Sequence, residues 1–208
     1  MILYSYARSS AAYRVRIALN LKGLPHETAP IHLEQDAHRT ADYLAVNPQG
    51  MVPALSVGDD LLAQSLAIIE YLEETHPQPP LLPADPMARA QVRRMALMVA
   101  ADIHPLQSRR VIQWITQNLD QAAATAWARH WIEEGFRALE CIAAESGRFC
   151  FGDTPTLADV CLVPQMANAL RFKVDLAKYP RLAAIASHCR DLPAFAAAAP
   201  ERQPDYEP

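Results

Sequence analysis

The stretch His76-Pro77-Gln78-Pro79-Pro80-Leu81-Leu82-Pro83-Ala84-Asp85-Pro86 holds five prolines in eleven positions. Each proline ring fixes φ and removes a backbone donor, so the run continues neither a helix nor a central strand and reads as a linker. Before it, strand and helix signals alternate. Met1 to Tyr6 is a short apolar and aromatic strand, and Ala11 to Lys22 sets Val15, Ala18 and Leu19 on one helical face before Gly23 stops the helix. His26 to Leu33 and Pro53 to Val57 read as further strands. Gly58-Asp59-Asp60 turns into a fourth at Leu61 to Ala63, and Ser65 caps a helix through Glu74. After the linker the signals are helical throughout. Met87 to about Ile115 is one long helix bent at Pro105, Ala122 to Glu145 a second, and Thr156 to Arg171 a third. Two short alanine-rich helices follow.

The order strand, helix, strand, helix, strand, strand, helix is that of a thioredoxin-like domain. The expected architecture is therefore α/β followed by all-α: residues 1–80 a thioredoxin-like domain, 81–86 the end of the linker, and 87–208 a helical bundle. With 51% hydrophobic and 20% charged residues the chain reads as an ordinary globular protein. Its net charge of -4 argues against nucleic acid or anionic lipid as a partner. Arginine supplies 16 of the 19 bases, and guanidinium groups grip planar carboxylates with paired hydrogen bonds. No signal-like N-terminus or membrane-spanning apolar run is present, which points to the cytosol. Cys141, Cys150, Cys161 and Cys189 lack metal-ligand spacing and read as buried free thiols, with no metal expected. The tail Asp205-Tyr206-Glu207-Pro208 reads as disordered.

Four segments carry candidate chemistry. Arg8-Ser9-Ser10-Ala11-Ala12 lies where the first strand turns into the first helix. Unpaired N–H groups and the positive dipole end stabilise a thiolate or carboxylate there, and a serine hydroxyl adds a donor. Redox proteins of this fold place a cysteine at this point; here a thiol nucleophile must arrive with a cosubstrate. The plainer reading is that Ser9 or Ser10 only caps the helix. In Asn47-Pro48-Gln49-Gly50-Met51-Val52-Pro53, the Val52-Pro53 bond is a candidate cis bond that turns the Val52 backbone toward an extended, peptide-like ligand. Gln64-Ser65 opens an amphipathic helix and either caps it or holds a ligand carboxylate. In Asp102-Ile103-His104-Pro105-Leu106-Gln107-Ser108-Arg109-Arg110, His104 and Ser108 fall on one helix face. Arg109 and Arg110 point about 100° apart, so that either one faces a cleft or the pair lies on a solvated face. Thr156-Leu157-Ala158-Asp159 is a structural capping box.

Taken in this order, with the linker and the helical second half, these segments resemble the glutathione transferase family over essentially the whole chain. Tyr4-Ser5-Tyr6, Arg8-Ser9-Ser10, Arg14-Val15-Arg16-Ile17-Ala18-Leu19, Val163-Pro164-Gln165 and Arg171-Phe172-Lys173-Val174-Asp175-Leu176 are similar to its zeta class, known for maleylacetoacetate isomerases. That class commonly carries Ser-Ser-Cys in the first motif, and this chain has Ala11 where the cysteine would be. The resemblance implies glutathione as cofactor and a homodimer. It assigns thiolate stabilisation to Ser9, with Ser10 and Arg8 in the same catalytic turn. Val52, before Pro53, pairs with the cysteinyl backbone, while Gln64 and Ser65 hold the γ-glutamyl end. His38, Gln49, Asp102, His104 and Gln107 are further glutathione contacts, and Arg8, Ser108, Arg109, Arg110 and Arg171 receive substrate carboxylates. The implied reaction is cis-trans isomerisation of a maleyl dicarboxylic acid, maleylacetoacetate or maleylpyruvate. Its rivals are conjugation or dehalogenation of small α-halo acids and a non-catalytic glutathione-binding role.

Overall fold

In the computed structural model, which describes residues 1–143 and 147–207, Leu3 and Ser5 turn inward along β1 (Ile2–Ser5) while Ile2 and Tyr4 stay half-buried. That alternation seats β1 in the middle of a four-stranded sheet. It runs parallel to β2 (Glu27–Pro30), with α1 (Ser10–Leu21) as the crossover. After α2 (Ala41–Val46) come β3 (Ala54–Val57), antiparallel to β1, and β4 (Asp60–Ala63), antiparallel to β3. The strand order is β2-β1-β3-β4. Leu3 stands opposite Thr28 on one side and Leu55 on the other. Leu3, Leu55, Val15, Leu19, Ile68 and Leu72 form the core between the sheet and the pair α1 and α3 (Ser65–Thr75). This is the thioredoxin-like arrangement.

One local expectation is corrected here. Ser65 does not cap α3: Gln64 holds the cap position at φ 70 without a side-chain cap bond, and Ser65 is the first helical residue. The Ser65 hydroxyl is occupied instead by a guanidinium described below.

Contacts divide the chain into two units, residues 1–80 with the segment from Leu192 onward, and Leu81–Asp191. The second unit is helical. Asp85 caps α4 (Pro86–Leu97) by accepting from Ala88 N at 2.8 Å, with Pro86 at the first position, where a missing N–H costs nothing. The long bent helix expected through Pro105 is broken into pieces. A π-helical turn (Met98–Ile103) and a 3₁₀ turn (His104–Gln107) follow α4, then Ser108 goes extended and α5 (Arg109–Asn118) starts anew. Proline removes one ladder bond, and the tight turn after it commits the chain to a new helix axis. Gly135 on α6 (Gln121–Ile142) lets this segment approach, since a Cβ there would overlap the Ile103 side chain. The expected continuation of α6 to Glu145 falls, from residue 144, outside the described residues.

Helix α7 (Leu157–Arg171) is buried almost throughout its first three turns, and α8 (Pro180–Arg190) packs on it. The capping box is formed as the sequence indicates. The Asp159 carboxylate, 0% exposed, accepts from Thr156 N, Thr156 Oγ1 and Cys150 N at 2.7–2.9 Å. Burial raises its pKa above the ordinary carboxylate value despite these bonds. The linker also has a place, because Leu81 O accepts from Leu157 N at 2.9 Å. All four cysteines are free thiols; Cys150, Cys161 and Cys189 are buried, whereas Cys141 is exposed on α6, against the expectation of burial.

The last helix, α9 (Pro193–Ala198), groups with the first unit and packs on α1. The tail beyond it is not disordered. A 3₁₀ turn (Pro200–Arg202) leads to Gln203, whose Nε2 donates to the carbonyls of Ala197 and Ala199 at 3.0 and 2.9 Å. Asp205, Tyr206 and Glu207 then reach Ala7, Arg8 and His32 respectively. Pro208 lies outside the described residues.

Candidate active site

Strand β1 delivers the chain into a turn that ends in the N-terminus of α1. Ser9 N donates to Tyr6 O at 3.0 Å, and Ser9 Oγ accepts from Ala12 N at 3.2 Å, so Ser9 is the helix cap. A hydroxyl that accepts still has its proton to give, and the cap leaves that donor uncommitted. The two readings of Ser9, as cap and as anion donor, are thus compatible. Ser10, the first helical residue, is buried while Ser9 is half-buried. Arg8 Nη1 lies 3.4 Å from Glu34 Oε1, and its guanidinium stands 6.0 Å from the Tyr206 ring centroid.

Two arginines underlie this turn, each only 2% exposed. Arg14 Nη1 donates to Ser65 Oγ at 3.2 Å, which places a positive charge directly behind the start of α3. Arg16 gathers four acceptors: Ser5 Oγ (2.9 Å) and Tyr6 O (3.2 Å) at Nη1, Ala7 O (3.0 Å) at Nη2 and Ala198 O (2.9 Å) at Nε. Burial lowers its pKa to about 10, which Tyr13 and Asp205 partly offset, so it is charged at neutral pH.

The segment before β3 is held just as firmly. Met51 O accepts from Tyr43 Oη at 2.6 Å and Asn47 Nδ2 at 2.8 Å, and Gln49 N donates to Asn47 Oδ1 at 3.1 Å. Gly50, at φ 59, sits so close to the 3₁₀ turn carrying His38 that a Cβ would stand 3.1 Å from His38 O. The Val52-Pro53 bond is cis. Among the described residues no hydrogen bond engages the Val52 N–H or carbonyl. Gln64 Nε2 donates to Gln49 Oε1 at 3.0 Å, which joins two residues expected to contact glutathione.

In the helical unit the named residues are spread over several elements. Asp102 is exposed and His104 half-buried; Gln107 is buried and donates from Nε2 to Gln165 Oε1 at 2.6 Å. His104 and Ser108 do not share a helix face, because Ser108 is extended, with its Oγ donating to Pro105 O at 3.0 Å. Arg109, half-buried, and Arg110, exposed, occupy the first two positions of α5. Cations at the positive end of a helix dipole are unfavourable until an anion joins them. Arg109 Nε is buried without a hydrogen-bond partner among the described residues. Arg171 is exposed in the last turn of α7, its guanidinium 5.7 Å from the Phe172 centroid.

Sequence reasoning missed the supporting roles of Arg14, Arg16, Tyr43 and Asp205. The only local signal was a pair of charges bracketing the buried Val15. Among the described residues no group of three or more His, Cys, Asp or Glu is placed to hold a metal ion, and no helix is long and apolar enough to cross a membrane.

Comparison with known proteins bears on this geometry. Residues 3–80 match the family described as glutathione S-transferase, N-terminal domain, and residues 120–186 match the corresponding C-terminal domain. The chain is 49% identical over 210 residues to a maleylpyruvate isomerase of Ralstonia sp., covering 99% of each. A holo structure of maleylpyruvate isomerase, described as a bacterial zeta-class glutathione S-transferase, superposes with a TM-score of 0.97 at 48% identity and full coverage of both chains. A maleylacetoacetate isomerase from Methylobacterium extorquens AM1, with malonate and glutathione bound, does so at 0.95 and 42%, again over both full chains. With family matches in both units and near-half identity to these relatives along the whole chain, this chain belongs to the glutathione S-transferase family, in its zeta class.

Proposed function

We propose that the protein converts a maleyl dicarboxylic acid, maleylpyruvate or maleylacetoacetate, to its fumaryl isomer with glutathione as cofactor. The observation that carries this reading is Ser9 at the α1 cap, its oxygen polarised by Ala12 N–H and its proton free for an anion. The first unit fits the tripeptide. Val52 offers an unengaged N–H and carbonyl, and Ser65, at the start of α3 with Arg14 behind it, suits a carboxylate. His38, Gln49, Gln64, Asp102, His104 and Gln107 are further contacts in this reading. Bound glutathione supplies a sulfur nucleophile that adds to the maleyl double bond and departs after rotation about the resulting single bond. Ser9 and the α1 dipole hold that sulfur ionised. Arg8, and by class resemblance Ser108, Arg109, Arg110 and Arg171, bind the two carboxylates and stabilise the negative charge that addition moves onto the neighbouring carbonyl. Class resemblance also supports a cytoplasmic homodimer.

The test is ultraviolet-monitored turnover of both maleyl acids with and without glutathione, with α-halo acids assayed in parallel. Ser9→Ala is expected to lower kcat by about 10²-fold, the usual loss for one donor to a developing anion, with the KM for glutathione little changed. Arg110→Ala is expected to raise the KM for the diacid. Turnover independent of glutathione would overturn the reading.

A further inference from the structure

Ala7 precedes the two residues that the proposed reaction uses most, Arg8 and Ser9, and it is buried, 1% exposed. Its carbonyl accepts from Arg16 Nη2 at 3.0 Å, and its N–H donates to Asp205 Oδ2 at 2.9 Å. Both peptide groups of this one residue are thus fixed from below, by a cation from α1 and by a carboxylate from the far end of the chain. The Asp205 carboxylate also acts on the Arg16 guanidinium, opposing the lowering of its pKa by burial.

Asp205 is not there by the accident of a trailing end. Gln203 ties the segment to the last carbonyls of α9, and Tyr206 N donates to Gln203 O at 3.1 Å, closing a turn around Asp205. The neighbouring charges continue the same fastening. Tyr206 lies against Arg8, Arg8 meets Glu34, and Glu207 Oε1 lies 3.5 Å from His32 Nε2.

We infer that Asp205 is a positioning residue for the isomerase reaction, its carboxylate acting with Arg16 to fix the peptide groups of Ala7 and thereby the geometry of Arg8 and Ser9. The inference rests on the proposed function for its catalytic consequence, but not for its structural one. A turn held at one end only lets the Ser9 hydroxyl wander, and small misplacements of a donor cost rate more than they cost binding. Asp205 touches neither Val52, Gln64 nor Ser65, so affinity for the tripeptide should barely change.

The experiment compares wild type with Asp205→Ala, Asp205→Asn and a chain ending at Pro204. Amide hydrogen exchange over residues 6–12 is measured without any ligand, and kcat and KM are measured for glutathione and a maleyl acid. Asp205→Ala and the shortened chain are expected to exchange faster over residues 6–12 with the sheet unchanged, and to lose about tenfold in kcat while the KM for glutathione stays within about twofold. Asp205→Asn, which keeps an oxygen for Ala7 N–H, is expected to regain the protection and part of the rate. Wild-type kcat in Asp205→Ala or in the shortened chain overturns the inference, as does a fall in kcat with unchanged exchange over residues 6–12. Wild-type protein inactive toward every maleyl acid overturns the proposed function instead, and the exchange comparison still decides whether Asp205 holds the turn.

Discussion

The phenol of Tyr43 donates to the carbonyl of Met51, next to Val52. Burial, reinforced by Tyr4 and opposed by a bond with Asn47, pushes its pKa up to about 12. An acid whose pKa is higher folded than unfolded stabilises the fold fully below the unfolded value and loses that contribution as pH rises toward the folded one. The Tyr43 contribution is therefore present below pH ~10 and declines between ~10 and ~12, by as much as ~2 kcal/mol. Urea unfolding followed from pH 8 upward should show this decline in wild type and a shallower one in Tyr43→Phe. At neutral pH the same variant should be about 1 kcal/mol less stable, because Asn47 still serves Met51 O. Tyr43 shows what sequence conceals at this scale: the loop Asn47 to Pro53 reads from sequence as a candidate ligand segment, but the side chain that pins it comes from α2 and carries no motif. Arg14 and Arg16 are similar. Only their partners turn two helix arginines into buried supports: Ser65 and Ala198 lie far along the chain, and the Ala7 carbonyl, 9 residues back, leaves no side-chain signal.

At the C-terminal end of α1, Lys22 Nζ spends its three donors on Glu73 Oε2 (2.7 Å), His76 O (2.7 Å) and Pro79 O (3.1 Å). One ammonium thereby joins α1, α3 and the beginning of the linker. Removing one partner of a buried ion pair leaves the other's charge less compensated, so Lys22→Met should cost roughly 3 kcal/mol, and adding Glu73→Leu should return part of it. Thermal unfolding of the single and double variants checks this. The elements themselves were largely legible. Alternation and turn residues located the four strands, and the Thr156–Asp159 box located the start of α7, because these signals are local. The long helix through Pro105 was misjudged because a proline tells that a ladder bond is lost, and not whether the chain resumes on the same axis. The buried width of α1 was underestimated for a different reason. Val15, Ala18 and Leu19 mark the face toward α3 and the sheet, while the face that buries Arg16 is covered by α9, about 180 residues later.

For the molecule as a whole, any ligand that binds only the folded chain adds stability by mass action. Glutathione at 100 times its Kd should raise the unfolding free energy by about 2.7 kcal/mol, and Ser65→Ala should reduce the shift at fixed glutathione. A thermal midpoint indifferent to glutathione would contradict the proposed cofactor. The two-part organisation was legible because five prolines interrupt every periodicity at one place. The grouping of the segment from Leu192 with the first unit was not, since nothing local distinguishes one alanine-rich helix from another. That grouping has a consequence for biosynthesis. Tyr13 Oη, Arg16 Nε and Asn20 Nδ2 donate to the carbonyls of Phe195, Ala198 and Ala194. Residues 1–80 are therefore made with one face of α1 uncovered, and that face stays so until the segment from Leu192 onward has been synthesised.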